Sequence, residues 1–260
     1  MTAPLRARKR FGQHFLTSPD VIHRIVGAIA PRAGDTLVEI GPGRGAITEP
    51  LAKSGATLHA VELDRDLARR LEERFAGAAN VSIVQADALR FDFASLGAKL
   101  RVVGNLPYNI STPLLFHMLE FSDAIEDLHF MLQKEVVERM AASPGTKDYG
   151  RLTIMLGCRM TVEPLFDVPA DAFTPPPKVT SAVIRLRPRP AAEIAIENVA
   201  VLSKLVAQAF SQRRKTLRNA LRAVAAPEAL EAVGIDPGSR AETVPVATWV
   251  ALANQLAAVR

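Results

Sequence analysis

Between residues 36 and about 132 the chain repeats one pattern, a short β-rich apolar run followed by a helix-like segment, and this alternation restricts the fold more than any other feature. The runs are TLVEI (36–40), TLHAVEL (57–63), VSIVQA (81–86), LRVVGNL (100–106) and EDLHFML (126–132). Strands alternating with helices predict a parallel sheet with right-handed crossovers. Between them, GAITEPLAKSG (45–55) reads as a helix kinked by Pro50, and DLARRLEERFAG (66–77) as an amphipathic helix ending near Gly77. Two later runs, MTVEPLFDV (160–168) and VTSAVIRLRP (179–188), flank the proline-rich FTPPPKV and are expected to complete the sheet as antiparallel additions. After RLRPRPAAE the strand signals vanish and Ala/Leu-rich helical patterns run to Arg260, broken at Pro227, Gly234, Pro237 and Pro245. The expected architecture is α/β, a mainly parallel seven-stranded sheet in residues 1–190 and a small all-α domain in 191–260. Pro188 and Pro190 mark the boundary.

A chain of 260 residues buries a full core without covalent staples. Its single cysteine, Cys158, excludes an intrachain disulfide, no pair of CxxC motifs offers a zinc site, and no metal is expected. No stretch reaches the roughly 18 apolar residues of a membrane span, and the basic N-terminus leads into FGQHFL rather than a signal-type apolar region. A cytoplasmic location is the expectation.

Lys and Arg outnumber Asp and Glu by 32 to 27, and the excess gathers in two places. One is Arg6, Arg8, Lys9 and Arg10; the other is Arg213, Arg214, Lys215, Arg218 and Arg222. Either cluster is suited to phosphates, or to a solvated face.

The first strand runs into Glu39-Ile40-Gly41-Pro42-Gly43-Arg44-Gly45, followed by a helix pattern. In that context glycines 41 and 43 admit a tight turn, and the helix start offers free N–H groups to an anion; a methionine carboxylate suits this. Ala46 also completes a dinucleotide fingerprint, so the loop alone admits NAD as well as S-adenosylmethionine. Glu62, ending the second strand, can accept both hydroxyls of a ribose in either ligand. Asp87, after the third strand, stands at the carboxyl edge of the sheet, where it can accept from an adenine amino group or cap a turn.

The fourth strand ends in Asn105-Leu106-Pro107-Tyr108, the most discriminating segment of the chain. An exocyclic amine of adenine is a poor nucleophile, because its lone pair is delocalised into the ring, and its methylation depends on positioning. The Asn105 amide oxygen and the Leu106 carbonyl can accept the two amino hydrogens, Pro107 stiffens the turn, and Tyr108 can stack on an extruded base. Phe173, beside three prolines, can supply the opposite face of the base pocket or pack in the core.

Together these segments resemble the ribosomal RNA adenine dimethyltransferase family, most closely its bacterial small-subunit branch, over the whole chain. The matching segments are RKRFGQHFL (8–16), EIGPGRGAITEPL (39–51), VELDRDLA (61–68), QADAL (85–89), GNLPYNISTPLLF (104–116), AFTPPPKVTSAVIRL (172–186) and FSQRRKTLRNAL (210–221). The resemblance implies a Rossmann-like S-adenosylmethionine-dependent methyltransferase fold. It also implies that Gln13, His14 and Leu16 close over the cofactor, that Gly41, Gly43, Glu62, Asp87 and Asn105 contact it, and that Asn105 to Tyr108 also hold the target adenine. Many relatives carry Asn where His14 stands. The implied substrate is a pair of adjacent adenines in a hairpin near the 3′ end of 16S rRNA, each methylated twice in an assembling small subunit; apart from the resemblance, a monomer is expected. Arg213, Arg214, Lys215 and Arg218 are expected to contact RNA phosphates.

Three other readings are open to such a chain. A large-subunit adenine methyltransferase of the antibiotic-resistance type shares the cofactor and catalytic motifs, but FSQRRKTLRNAL argues against it. An assembly factor whose binding outweighs its catalysis is a second. An NAD-dependent oxidoreductase accounts for the glycine loop but not for NLPY.

Overall fold

The computed structural model describes residues 14–190, 193 and 195–258. They form two compact units, one containing the chain up to Val137 plus Glu163–Arg187, the other Glu138–Val162 plus the chain from Pro188. In chain order the elements begin β1 (Phe15–Leu16), α1 (Pro19–Ile29), β2 (Thr36–Ile40), α2 (Thr48–Ala52), β3 (Thr57–Glu62), α3 (Arg65–Phe75), β4 (Val81–Gln85), β5 (Leu100–Asn105), α4 (Ser111–Glu120) and β6 (Ile125–Gln133). They continue α5 (Lys134–Met140), α6 (Arg151–Gly157), β7 (Met160–Val168), β8 (Phe173–Thr174), β9 (Ser181–Pro188), α7 (Val199–Ser211), α8 (Leu217–Ala220), α9 (Pro227–Glu231) and α10 (Val246–Ala258).

The seven long strands form one sheet in the order β4-β3-β2-β5-β6-β9-β7. Strands β2 to β6 pair in parallel, with Val38 opposite His59 on one side and Val102 on the other, and β9 runs antiparallel to β6. These strands read as nearly continuous apolar runs because helices cover both faces of such a sheet. Leu37, Val38, Leu58, Ala60, Val102, Val103, Leu128 and Phe130 are all buried. Strand order reverses between β2 and β5, which opens a crevice beyond their carboxyl ends. Gly104 keeps these ends close, since a Cβ there would stand 2.7 Å from the Ile40 carbonyl oxygen.

Helix α1 starts on Ser18, whose hydroxyl accepts from Val21 N, with Pro19 in the first turn. Its Val21, Ile25 and Ile29, spaced by four, enter the core with Leu37, Leu58, Val103 and Val183. The helix expected over 45–55 is shorter, and Pro50 does not kink it. It lies in the first turn of α2, where a missing N–H costs no intrahelical bond. At the amino end of β5, Arg101 bonds both Asp35 and Asp127 and the Ile29 carbonyl, which neutralises the carboxylates beneath the sheet.

In the second unit, α6 packs on α7 and α10. The Tyr149, Phe210 and Trp249 rings meet there in sequence, and the Tyr149 hydroxyl donates to Val244 O at 2.7 Å. The single boundary expected at 190/191 leaves out one feature: residues 138–162 group with the C-terminal helices. The reason is that α6, with buried Leu152, Ile154, Met155 and Leu156, packs on α7 and α10.

Candidate active site

The crevice in the first unit is lined by residues 14–16, 39–44, 46–47, 61–63, 86–88 and 105–110. Beyond β2 the chain turns at Gly41 and Gly43, whose φ angles of 66° and 59° are strained for any residue with a Cβ. Gly41 N donates to Val61 O, and a Cβ on Gly43 would press on the Phe15 ring at 3.3 Å. The turn therefore carries bare backbone against the crevice.

Glu62 closes β3 beside it. One carboxylate oxygen accepts from Gly43 N at 3.0 Å and the other from Asp64 N at 2.9 Å. Burial pushes this carboxyl up, and the two backbone donors oppose the shift. Each oxygen keeps a lone pair for a further donor, which is what a ribose diol presents. Asp87 lines the crevice and accepts from Leu89 N at 3.0 Å, so the turn role and an open carboxylate oxygen coexist. Leu63 is half exposed at 51% and offers an apolar surface beside Glu62.

The Asn105-Leu106-Pro107-Tyr108 turn forms the other wall. Asn105 Nδ2 donates to His14 O at 3.0 Å. A carbonyl can only accept, so the amide is oriented with its nitrogen toward His14 and Oδ1 available as an acceptor. Leu106 N is held by Met131 O, while the Pro107 and Tyr108 carbonyls receive Ile110 N and Ser111 Oγ. Among the described residues, this leaves Leu106 O as the backbone acceptor of the turn. The half-buried Tyr108 hydroxyl lies 2.8 Å from Ser181 Oγ, and burial raises the phenol's pKa.

A two-stranded ribbon contributes its first strand to the crevice lining. β1 pairs antiparallel with β8, with Phe15 opposite Thr174 and Leu16 opposite Phe173, and Thr17 N and Ser18 N extend the zipper to Ala172 O. Phe15 and Leu16 thereby line the crevice, and the Arg44 guanidinium stacks 4.2 Å over the Phe15 ring. Gln13 lies outside the described residues. Phe173 is placed differently from its base-pocket expectation. It is 3% exposed and packs with Leu16, Ala172, Val168 and Val183, because pairing with β1 turns its side chain into the core.

Among the basic residues of the second unit, Arg214, Lys215 and Arg218 are exposed. Arg213 is committed internally. Its Nε donates to Glu242 at 2.7 Å, and the guanidinium also meets the Thr146 and Lys147 carbonyls. Arg6, Arg8, Lys9 and Arg10 lie outside the described residues.

Sequence reasoning passed over Glu39 and Phe15. Glu39 is 2% exposed and faces the crevice, with one oxygen making no hydrogen bond among the described residues. Burial pushes its carboxyl up to about 7, the Thr48 hydroxyl opposing and Glu62 adding to the rise. A lone carboxylate at the end of an otherwise apolar strand is the signal that marks it.

The sheet order, the crevice at its reversal point, the glycine turn and the NLPY wall define a Rossmann-like methyltransferase. The chain matches the family model of Ribosomal RNA adenine dimethylase over residues 5–258, and it belongs to that family. It is 56% identical over 253 residues to Ribosomal RNA small subunit methyltransferase A of Aromatoleum aromaticum, covering 97% of this chain and 95% of the relative. Identity to the protein of that name from Thiobacillus denitrificans is 58% over 250 residues, 96% and 98% of the two chains. Among solved structures, a dimethyladenosine transferase from Plasmodium falciparum superposes with a TM-score of 0.81 at 24% identity, covering 94% of this chain and 98% of that one. The 23S rRNA methyltransferase ErmE superposes with a TM-score of 0.71 at 29% identity, covering 94% and 99%.

Proposed function

We propose that this enzyme uses S-adenosylmethionine to dimethylate two adjacent adenines near the 3′ end of 16S rRNA, acting on the assembling small ribosomal subunit. The observation that carries the reading is Asn105 in the crevice lining beside the glycine turn, with its Nδ2 tied to His14 O and its oxygen left to accept. Glu62 suits the ribose, Asp87 the adenine amino group, Leu63 the adenine face, and the N–H groups around Gly41 and Gly43 the methionine carboxylate. When bound, S-adenosylmethionine supplies an electrophilic methyl group on a sulfonium. Asn105 Oδ1 and Leu106 O accept the two hydrogens of the substrate's amine, so that its lone pair faces the methyl group, and Tyr108 stacks on the base. Phe173, buried in the core from β8, takes no part in holding the base in this reading.

Cofactor choice is tested by thermal stabilisation, since a ligand that binds only the folded state raises its melting temperature. S-adenosylmethionine is expected to stabilise the protein and NAD to leave it unchanged; the reverse pattern contradicts the assignment. For RNA, the exposed Arg214, Lys215 and Arg218 are the phosphate-contacting set. Replacing all three with glutamine is expected to lower the slope of log affinity against log salt by about 2–3. An unchanged slope would remove these residues from the interface.

The small-subunit substrate is favoured by the relatives named Ribosomal RNA small subunit methyltransferase A, which are 56–58% identical to this chain, against 29% for the 23S rRNA methyltransferase. We further propose that the enzyme acts as a monomer.

A further inference from the structure

We infer that Arg44 binds the carboxylate at the methionine end of the cofactor, as the counter-charge in an otherwise acidic crevice. This assignment rests on the S-adenosylmethionine reading above, which brings that carboxylate to the glycine turn. Among the described residues that line the crevice, Glu39, Glu62 and Asp87 carry carboxylates, and Arg44 alone carries a guanidinium or an ammonium. S-adenosylmethionine itself bears a sulfonium, an ammonium and a carboxylate. Three acids suit its two cations, and an anion brought among those acids needs a cation of its own.

The backbone meets only part of this need. Gly41 N donates to Val61 O at 2.9 Å, Gly43 N to Glu62 at 3.0 Å and Gly45 N to Pro42 O at 2.8 Å, while Pro42 has no N–H to give. Helix α2 begins beyond the turn, at Thr48, and its five residues sum to a small dipole. Charge at this end therefore falls to a side chain, and Arg44 is placed to supply it. Its carbonyl accepts from Arg74 Nη1 at 3.0 Å, and Arg74 in turn pairs with Glu49, which anchors the backbone there. Its guanidinium lies 4.2 Å over the ring of Phe15, another residue of the crevice lining. The ring engages the face of the guanidinium, whereas a carboxylate is met by its N–H edge, so stacking and anion binding are compatible. Arg44 also belongs to the glycine wall, across from the Asn105-Leu106-Pro107-Tyr108 turn that receives the base, which assigns it to the cofactor rather than to RNA.

The test removes the charge from either partner in turn. Kd is measured by isothermal titration in the absence of RNA, for full-length wild type, Arg44→Leu and Arg44→Lys. The ligands are S-adenosylmethionine, S-adenosylhomocysteine, which keeps the carboxylate and lacks the sulfonium, and decarboxylated S-adenosylmethionine. Arg44→Leu is expected to weaken the first two about tenfold, the low end for a hydrogen bond to a charged group, because Arg44 is exposed and its pairing is screened by salt. The decarboxylated ligand brings only positive charge and is expected to bind the leucine variant at least as tightly as wild type. Arg44→Lys keeps the charge without the planar fork and is expected to fall between the two.

Equal weakening of all three ligands would overturn the inference, because Arg44 would then act by supporting the turn through Phe15. Unchanged affinity for S-adenosylmethionine, with weaker binding of small subunits, would also overturn it and move Arg44 to the RNA. Melting temperatures show whether the leucine variant folds. If it does not, the lysine variant decides, since a loss confined to the two carboxylate-bearing ligands supports the inference and an equal loss in all three overturns it. Wild type that binds none of the three ligands would instead sink the cofactor reading itself.

Discussion

Asn105→Ala is expected to lower kcat for adenine methylation by about 10²–10³-fold, the loss typical of removing one preorganised hydrogen-bonding group aimed at the reacting atoms. The Asn105 side chain is a directed acceptor because its nitrogen is tied to His14 O, so no reorientation is needed when the substrate amine arrives. Alanine leaves Leu106 O as the remaining acceptor of the turn, and the amine then rotates away from the line of transfer. Asn105→Asp makes a sharper comparison. It keeps an acceptor for the substrate but has no donor for His14 O, and two oxygens facing each other push the carboxylate out of place. The aspartate variant is therefore expected to be as impaired as the alanine variant. Single-turnover rates with saturating cofactor make the measurement, and an active aspartate variant would show that anchoring through Nδ2 is unimportant. Retained binding of small subunits by either inactive variant is also expected, because the exposed cations of the second unit are untouched.

Glu62→Gln is expected to weaken S-adenosylmethionine about 100-fold while changing kcat at saturating cofactor far less. Hydrogen bonds to a charged group contribute about 1.5–3 kcal/mol each, and a tenfold change corresponds to about 1.4 kcal/mol. In the native site both oxygens already accept from Gly43 N and Asp64 N. A glutamine must turn its NH₂ toward one of these donors, so the defect reaches beyond the ribose contact to the glycine turn itself. Isothermal titration measures the affinity. If affinity were kept and kcat lost, Glu62 would belong to the catalytic wall instead of the cofactor wall.

Much of this site is legible in the sequence because its parts are local. A strand that ends in a glycine turn, another that ends in Glu62 and a third that ends in Asn-Leu-Pro-Tyr each declare themselves within a few residues. Strand alternation then delivers all of them to one edge of the sheet. What the sequence conceals depends on distant pairings. The ribbon of β1 and β8 has two residues per strand, too few for any periodicity, and its register joins Leu16 to Phe173 across most of the chain. That pairing buries Phe173, which local context recommends as a base-stacking ring beside three prolines. The commitment of Arg213 to Glu242 is concealed in the same way, since in the sequence Arg213 is one of five clustered cations. Residues 138–162 look like a continuation of the sheet-bearing unit because β7 begins within them. Only the packing of α6 on α7 and α10 shows where they belong.

The central claim is tested most directly by incubating the enzyme with labelled S-adenosylmethionine and purified small or large subunits lacking the modification, then mapping the methylated bases. The account predicts dimethyladenine at two adjacent positions near the 3′ end of 16S rRNA and no label in large subunits. Label confined to a large-subunit adenine, or none in either subunit despite cofactor binding, would contradict it.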